Sequence, residues 1–358
     1  MATVRNLVAR NAVRIYGTVT VTRQRLSLVA GIMLSVLFLW LSLRGTNFAE
    51  IGDALARSQP VYALPLVLAL ALFYWLKAVR IRLLLIPMRE IQVQGILPAT
   101  MIGFAANNLL PARLGDLVRA YLLGRQYSLS KISILATMVL ERLFDLVSVL
   151  GLLALIFIAM EVPGALIKPG YFIGCLELAL LCIIIMMIMQ TSMLVRFCMR
   201  VTSFLPHALR SWLIQHIEHG ALGTRALKQP YLLTGIVMTS VAQAALRATA
   251  MYLALLAVGI DVPPSAALVL LAISTAAITL PSAPGFLGTM QLCFVLALKP
   301  YGVSAGDAFA ASLFYQALEY VAVTGAGFYF LRDLDQGLGK IRENAELSAE
   351  VAEVSASR

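Results

Sequence analysis

Three ionisable residues, Glu141, Arg142 and Asp145, sit inside the apolar stretch 132–160. On a helix, Arg142 and Asp145 are spaced i,i+3 and Glu141 and Asp145 i,i+4, so all three share one face. An ionisable group at the centre of a bilayer costs about 2.5–3.5 kcal/mol on insertion scales, or roughly 8–10 for the three together. They must face protein or water and not lipid. The segment just before them offers partners in Asn107, Asn108, Arg113, Asp116 and Arg119. Arginine presents a planar fork of donors that suits phosphate, so Arg113, Arg119 and Arg142 are candidate ligands for an anionic headgroup. Glu141, Asp145 and the later Glu319 could hold an amine or carry protons. Arg247 and Lys77 are secondary candidates, since either could snorkel or pair with a helix carbonyl. A buried ion-pair network that only fixes helix packing is the alternative.

The elements that would position these residues follow from composition. The chain has 358 residues, 60% of hydrophobic type and only 13% charged, with a mean hydropathy of +0.87. A soluble domain carries about 45–50% apolar and about 25% charged residues. A water-soluble globule, a disordered chain, a coiled coil and a disulfide scaffold are excluded, and a polytopic membrane protein is expected. The net charge of +10 is not a nucleic-acid signal, because the Lys and Arg residues cluster between apolar segments as the positive-inside rule requires. The four cysteines lack CxxC spacing and read as packing residues.

The basic tail 1–26 precedes a first span at 27–43 and is not a cleaved signal peptide. Further spans are expected at about 60–80, 132–160, 171–191 (with Glu177 inside), 231–258 and 308–331. Lys77, Arg80 and Arg82 close the second span and read as its cytoplasmic anchor. The segment 92–124 is apolar but carries Pro98, Gly103, Asn107, Asn108 and Pro111, and is expected to be broken or re-entrant. So is 266–299, interrupted by Pro281-Ser-Ala-Pro284-Gly285-Phe-Leu-Gly288. Irregular backbone at membrane depth needs protein or a watery cavity around it. The segment 193–229 reads as an interfacial cytoplasmic linker and 332–358 as a disordered polar tail. The expected fold is all-α: one membrane domain over 27–331, with about six full spans and two broken elements. Both termini are then cytoplasmic and the inner cell membrane is the expected location. An eight-span count stays open.

The two halves resemble each other. An offset of 170 maps Lys77 onto Arg247, Pro111 onto Pro281 and Gly115 onto Gly285. An offset of 174 in the next helix maps Ser130 onto Ser304, Asp145 onto Glu319, Arg142 onto Gln316 and Gly151 onto Gly325. The units 60–160 and 231–331 would start on opposite sides of the membrane. Such an inverted repeat places a binding site between its paired broken helices near the midplane.

Other motifs carry little. His216-Ile-Glu-His219 has HxxH spacing but no further ligand nearby, so no metal is expected. There is no Walker A loop and no GxSxG elbow, and no cofactor is expected. Glu50 and Asp53 lie in a loop too short to build a sugar site. No catalytic residue is assigned.

Asn108-Leu-Leu-Pro-Ala-Arg-Leu-Gly-Asp-Leu-Val-Arg119, followed by Glu141-Arg142-Leu-Phe-Asp145, resembles the signature of the flippase-like membrane domain of lysylphosphatidylglycerol synthases. Leu280-Pro-Ser-Ala-Pro-Gly-Phe-Leu-Gly288 is similar to that family's second motif. The resemblance covers about 25–332. It implies a translocator of aminoacylated or other phosphate-bearing lipids, without the soluble synthase domain, so a stand-alone member that is not an enzyme. It also implies a membrane lipid as partner and a separate lipid-modifying synthase as a possible one. Asp116 stands where the family often has Glu, and Gln316 where many relatives would place Arg. The expected function is therefore a lipid translocator with a polar cavity lined by Asn107, Asn108, Arg113, Asp116, Arg119, Glu141, Arg142, Asp145, Arg247, Gln316 and Glu319. Pro111, Gly115, Pro281, Pro284, Gly285 and Gly288 would form its hinges. The alternative is a membrane enzyme or accessory subunit of lipid-linked glycan or lipid modification.

Overall fold

A computed structural model describes residues 48–110, 114–159, 229–278 and 284–356, with a helical stretch at 36–43 and isolated positions elsewhere. Its elements are all helical: α1 (Phe48–Ala56), α2 (Ala63–Leu85), α3 (Val93–Leu109), α4 (Leu114–Tyr127), α5 (Lys131–Ala159), α6 (Pro230–Ala257), α7 (Pro264–Ile278), α8 (Thr289–Leu298) and α9 (Ala305–Ala356). The tail 1–26, most of the linker 193–229 with its HxxH pair, Glu177, Pro111, Arg113 and Pro281 lie outside the described residues.

Proline sets several helix starts. A 3-10 turn at Pro60–Tyr62 leads into α2, and α6 and α7 begin on Pro230 and Pro264. The first turn of a helix has no use for the missing N–H, and the ring presets the helical φ. The 23 residues of α2 and 28 of α6 extend about 34 and 42 Å at 1.5 Å per residue, against a hydrocarbon core of about 30 Å. Among the described residues, Pro60–Leu85 and Pro230–Ala257 are the two segments long and apolar enough to cross a membrane by length and composition.

Helices α2 and α6 run antiparallel at the centre. Gln59 N–H donates to the Ala257 carbonyl at 2.7 Å, and Gly235 packs against Leu83 at the other end. Around this pair the packing comes in matched sets. Contacts of α2 with α3, α3 with α4 and α4 with α5 have counterparts in α6 with α7, α7 with α8 and α8 with α9. Across the halves, α3 packs on α9 and α7 on α5. One apolar core joins α6, α7, α8 and α9 to α1 and α2, and a smaller one joins α2, α3, α4 and α5.

Three expectations need correction. The first broken element does not break at Pro98, Gly103 or the asparagines. Helix α3 runs through all of them and ends at Leu109. The chain turns at Leu110, which is extended (φ −104°, ψ 143°), as steric conflict with Pro111 demands of the residue before it. The polar tail is not disordered, since α9 continues to Ala356. Its run of Ala, Glu, Leu and Lys has high helix propensity and extends a helix already nucleated by packing. Of the cysteines, Cys293 is buried as expected, but Cys175 and Cys182 are exposed.

The α3–α4 hairpin depends on missing side chains. A Cβ at Gly115 would collide with the Gly103 carbonyl oxygen and lie 2.6 Å from the Asn107 backbone nitrogen. Neither backbone can move without opening the hairpin. Gly151, by contrast, has no neighbour within 4 Å. Overpacking a closed contact costs typically 1–3 kcal/mol. Gly115→Ala should therefore lower the apparent melting temperature in detergent by several degrees, while Gly151→Ala leaves it unchanged. Equal melting curves for the two variants would refute this packing.

Candidate functional site

Helix α2 turns one polar stripe inward: Tyr74, Lys77 and Arg80, at i,i+3 spacing. Arg80 is 0% exposed. Its guanidinium donates to Asp145 Oδ1 at 2.8 Å and to Ser240 Oγ at 2.9 Å, tying α2 to α5 and α6. Lys77 Nζ lies 3.6 Å from Asp145 Oδ2, so one carboxylate serves two cations. Lys77 and Arg80, expected at the cytoplasmic end of the second span with Lys77 also a secondary site candidate, are both buried. A count of basic residues between apolar runs does not see helix phase; the i,i+3 spacing from Tyr74 was the available signal.

The charged residues of α4 and α5 divide into two further pairs. Arg119 makes a two-pronged contact with Glu141, at 3.0 and 3.3 Å, with both side chains 5% exposed. Arg142 lies 3.7 Å from Asp116, whose other oxygen accepts from Asn107 Nδ2 at 3.1 Å. Glu141 thus reaches Arg119, Arg142 reaches Asp116, and Asp145 reaches Arg80 and Lys77, instead of the three pairing with one another.

A cavity of about 480 Å³ opens between the halves. Lys77, Arg142 and Asp145 line it from the first half, and Arg247 and Glu319 from the second. Tyr74 Oη donates to Glu319 Oε1 at 2.9 Å across the halves. Lys77 Nζ and the Arg247 guanidinium carbon lie 5.4 and 5.6 Å from the centre of the same ring, Phe73. Phe104 stands between the cavity and the Arg119–Glu141 pair, 5.5 Å from Lys77 and 5.7 Å from Arg119.

The second broken element closes the cavity. Gly285 and Gly288 take φ of +67° and +82°, conformations open to glycine without strain. Gln291 Oε1 accepts from the Gly288 N–H at 2.6 Å and its amide donates to Gln316 Oε1 at 2.5 Å. Gln316 in turn donates to the Gly285 carbonyl at 2.5 Å. From the first element, Asn108 Nδ2 donates to Thr324 Oγ1 at 3.2 Å, and Tyr320 Oη donates to the Asn108 carbonyl at 3.4 Å.

A model of the family described as "lysylphosphatidylglycerol synthase TM region" matches residues 28–327. The chain belongs to this family. It is accordingly a membrane protein. Two curated relatives match in part. One is a glycosyltransferase named AglD from Haloferax volcanii, 32% identical over 148 residues, or 40% of this chain and 23% of that protein. The other is a UPF0104 membrane protein from Methanothermobacter thermautotrophicus, 35% identical over 102 residues, or 27% of this chain and 29% of that protein. The chain thus spans less than a third of either relative's length. No solved structure matches.

Of the expected site residues of this family member, Asn107, Asn108, Arg142, Asp145, Arg247, Gln316 and Glu319 line the cavity, as does Gly285. Arg119 and Glu141 do not; they are sealed against each other. Asp116 reaches the cavity only through Arg142 and Asn107, and Gly115 holds backbone close. Pro284 opens the short 3-10 turn Pro284–Phe286. Lining residues outside the expectation include Phe73, Tyr74, Phe104, Ser240 and Gln243. Ser240, Gln243 and Arg247 recur at i,i+3 and i,i+7 along α6, a polar stripe within an apolar helix that was legible in the sequence. Among the described residues, no cluster of His, Cys, Asp and Glu could hold a metal ion.

Removing one partner of a buried ion pair costs about 3–5 kcal/mol, because the other charge stays buried alone, whereas an apolar pair of similar volume is often neutral. Glu141→Gln should sharply lower the yield of folded protein in detergent. Combining Arg119→Met with Glu141→Leu should recover most of it, measured as monodisperse protein by size-exclusion chromatography. A double variant no better than the single one would show that this pair does more than pack.

Proposed function

We propose that the protein moves a lipid headgroup across the bilayer through the cavity between its halves. The carrying observation is that cavity: a charged, hydrogen-bonding chamber inside a membrane-family domain, where buried charge is rare and expensive. Arg142, Arg247 and Lys77 would hold the phosphate, and Asn108, Gln316 and Glu319 the rest of the headgroup. The reading is of transport and not of catalysis. It places about six spans and two re-entrant elements in the membrane, with both termini cytoplasmic.

The matched packing of α2–α5 and α6–α9 supports an inverted repeat. Their starts differ by 167, 171, 175 and 174 residues, from 63, 93, 114 and 131 to 230, 264, 289 and 305, close to the sequence offsets. The antiparallel course of α2 and α6 supports two units that enter the membrane from opposite sides. In such folds one half rocks against the other around a shared site.

A second reading follows from the relative named a glycosyltransferase: a membrane enzyme or accessory subunit in lipid-linked glycan or lipid modification. Formation of a modified lipid by the purified chain alone would favour it.

Arg142 is 42% exposed at its side chain, and its removal leaves Asp116 bonded to Asn107. Arg142→Ala should therefore fold normally. Its leaflet exchange of fluorescent phospholipids in liposomes, read by dithionite quenching, should fall about tenfold, the worth of one charge-assisted contact. Exchange at the wild-type rate would remove Arg142 from the transport path.

A further inference from the structure

The proposal concerns the charge of the headgroup and rests on the translocator reading. Among the described residues of the interior, charges cancel in order. Arg119 cancels Glu141 at 3.0 Å, Arg142 cancels Asp116 at 3.7 Å, and Arg80 cancels Asp145 at 2.8 Å. Lys77, Arg247 and Glu319 remain, two cations against one carboxylate, and all three line the cavity. Lys77 has only a share in an Asp145 already held by Arg80. Arg247 makes no ion pair within 4.0 Å among the described residues, and its Nε is buried without a hydrogen-bond acceptor. One positive charge in excess is costly in a low-dielectric interior unless something completes it.

The two remaining cations correspond at the offset of 170, one from each half, and both approach the ring of Phe73. A ligand between them is held by both halves at once. The uncharged lining is of another kind. Gln243 Oε1 is buried, lines the cavity and accepts no hydrogen bond. The amides of Asn108 and Gln316 and the aromatic rings of Phe73 and Tyr74 lie around the same space. An amide oxygen without a donor calls for a hydroxyl or N–H, and aromatic faces suit the C–H faces of a polyol or sugar.

We infer that the cavity selects a headgroup of net charge −1, a single phosphodiester seated between Lys77 and Arg247 with an uncharged, hydroxyl-rich remainder against Gln243. Zwitterionic and cationic headgroups, which bring an amine into a chamber already short of negative charge, are discriminated against. The same chemistry occurs in a glycerol-bearing phospholipid and in a polyprenyl phosphosugar.

Thermal stabilisation of the full chain in detergent tests this. The added probes are dioctanoyl phosphatidylglycerol, farnesyl phosphoglucose, dioctanoyl phosphatidylethanolamine and a dioctanoyl lysyl-phosphatidylglycerol. Either monoanionic probe, or both, should raise the melting temperature at concentrations about tenfold below those needed for the other two, and whichever does so identifies the source. Lys77→Met and Arg247→Met should each flatten that preference, and Arg247→Lys, which keeps the charge, should retain it. A merely structural role would lower stability without changing headgroup preference. Equal or greater stabilisation by the zwitterionic or cationic probe would overturn the inference. So would no stabilisation by either monoanion, or a preference that survives in folded Lys77→Met and Arg247→Met. Selective stabilisation combined with no leaflet exchange in liposomes would sink the translocator reading and leave the charge selectivity standing.

Discussion

Charge cannot stay alone inside a membrane domain, and the carboxylate of Asp145 is where this constraint has most structural effect. It holds Arg80 at 2.8 Å and Lys77 at 3.6 Å. Through the bond of Arg80 to Ser240 it fixes α5 against the central α2–α6 pair. That pair is the axis about which the other helices are arranged.

The three ion pairs of the first half do different work. Arg119–Glu141 is closed off behind Phe104 and locks α4 to α5. Arg142–Asp116 joins the same two helices at the cavity edge, where Arg142 is half exposed. Arg80–Asp145 joins a fully buried guanidinium to a cavity-lining carboxylate and leaves Lys77 facing the cavity. The second half keeps a cation, Arg247, at the place of Lys77 and a carboxylate, Glu319, at that of Asp145, but makes no matching ion pair among the described residues. Gln316 replaces the cation at the position of Arg142 and spends its amide on the Gly285 carbonyl. The polar ties of the two halves are therefore unlike even though their helices are packed alike. One half carries the charge network, and the other carries a hydrogen-bonded backbone break.

Much of this was legible in the sequence. The apolar runs expected at about 60–80 and 231–258 are helices α2 and α6. Seven of the eleven expected binding residues line one cavity. Their signal was strong because a charged side chain in an apolar run has few places to go. The misplacements have one physical origin: composition reports which residues lie in a segment, but not which way the helix turns them. Lys77 and Arg80 looked like an interfacial anchor because they follow an apolar run, yet one turn of phase puts them in the core. Arg119 and Glu141 looked like ligands because they are ionisable, yet a close partner and an intervening ring remove them from the cavity. Pro98 looked like a break, but helix packing on both sides keeps α3 helical through the lost hydrogen bond.

The central claim is that a lipid headgroup enters this cavity and does not only coat the outer surface. Photo-crosslinking tests it most directly. A benzophenone amino acid would replace Phe104, which lines the cavity beside Lys77, and in a second variant Leu68, which is exposed on the outer face of α2. After illumination in bilayers, mass spectrometry would read the adducts. The account predicts phospholipid adducts at both positions, with those at 104 alone lost when Lys77 and Arg247 are both changed to Met. Adducts confined to position 68 would contradict it.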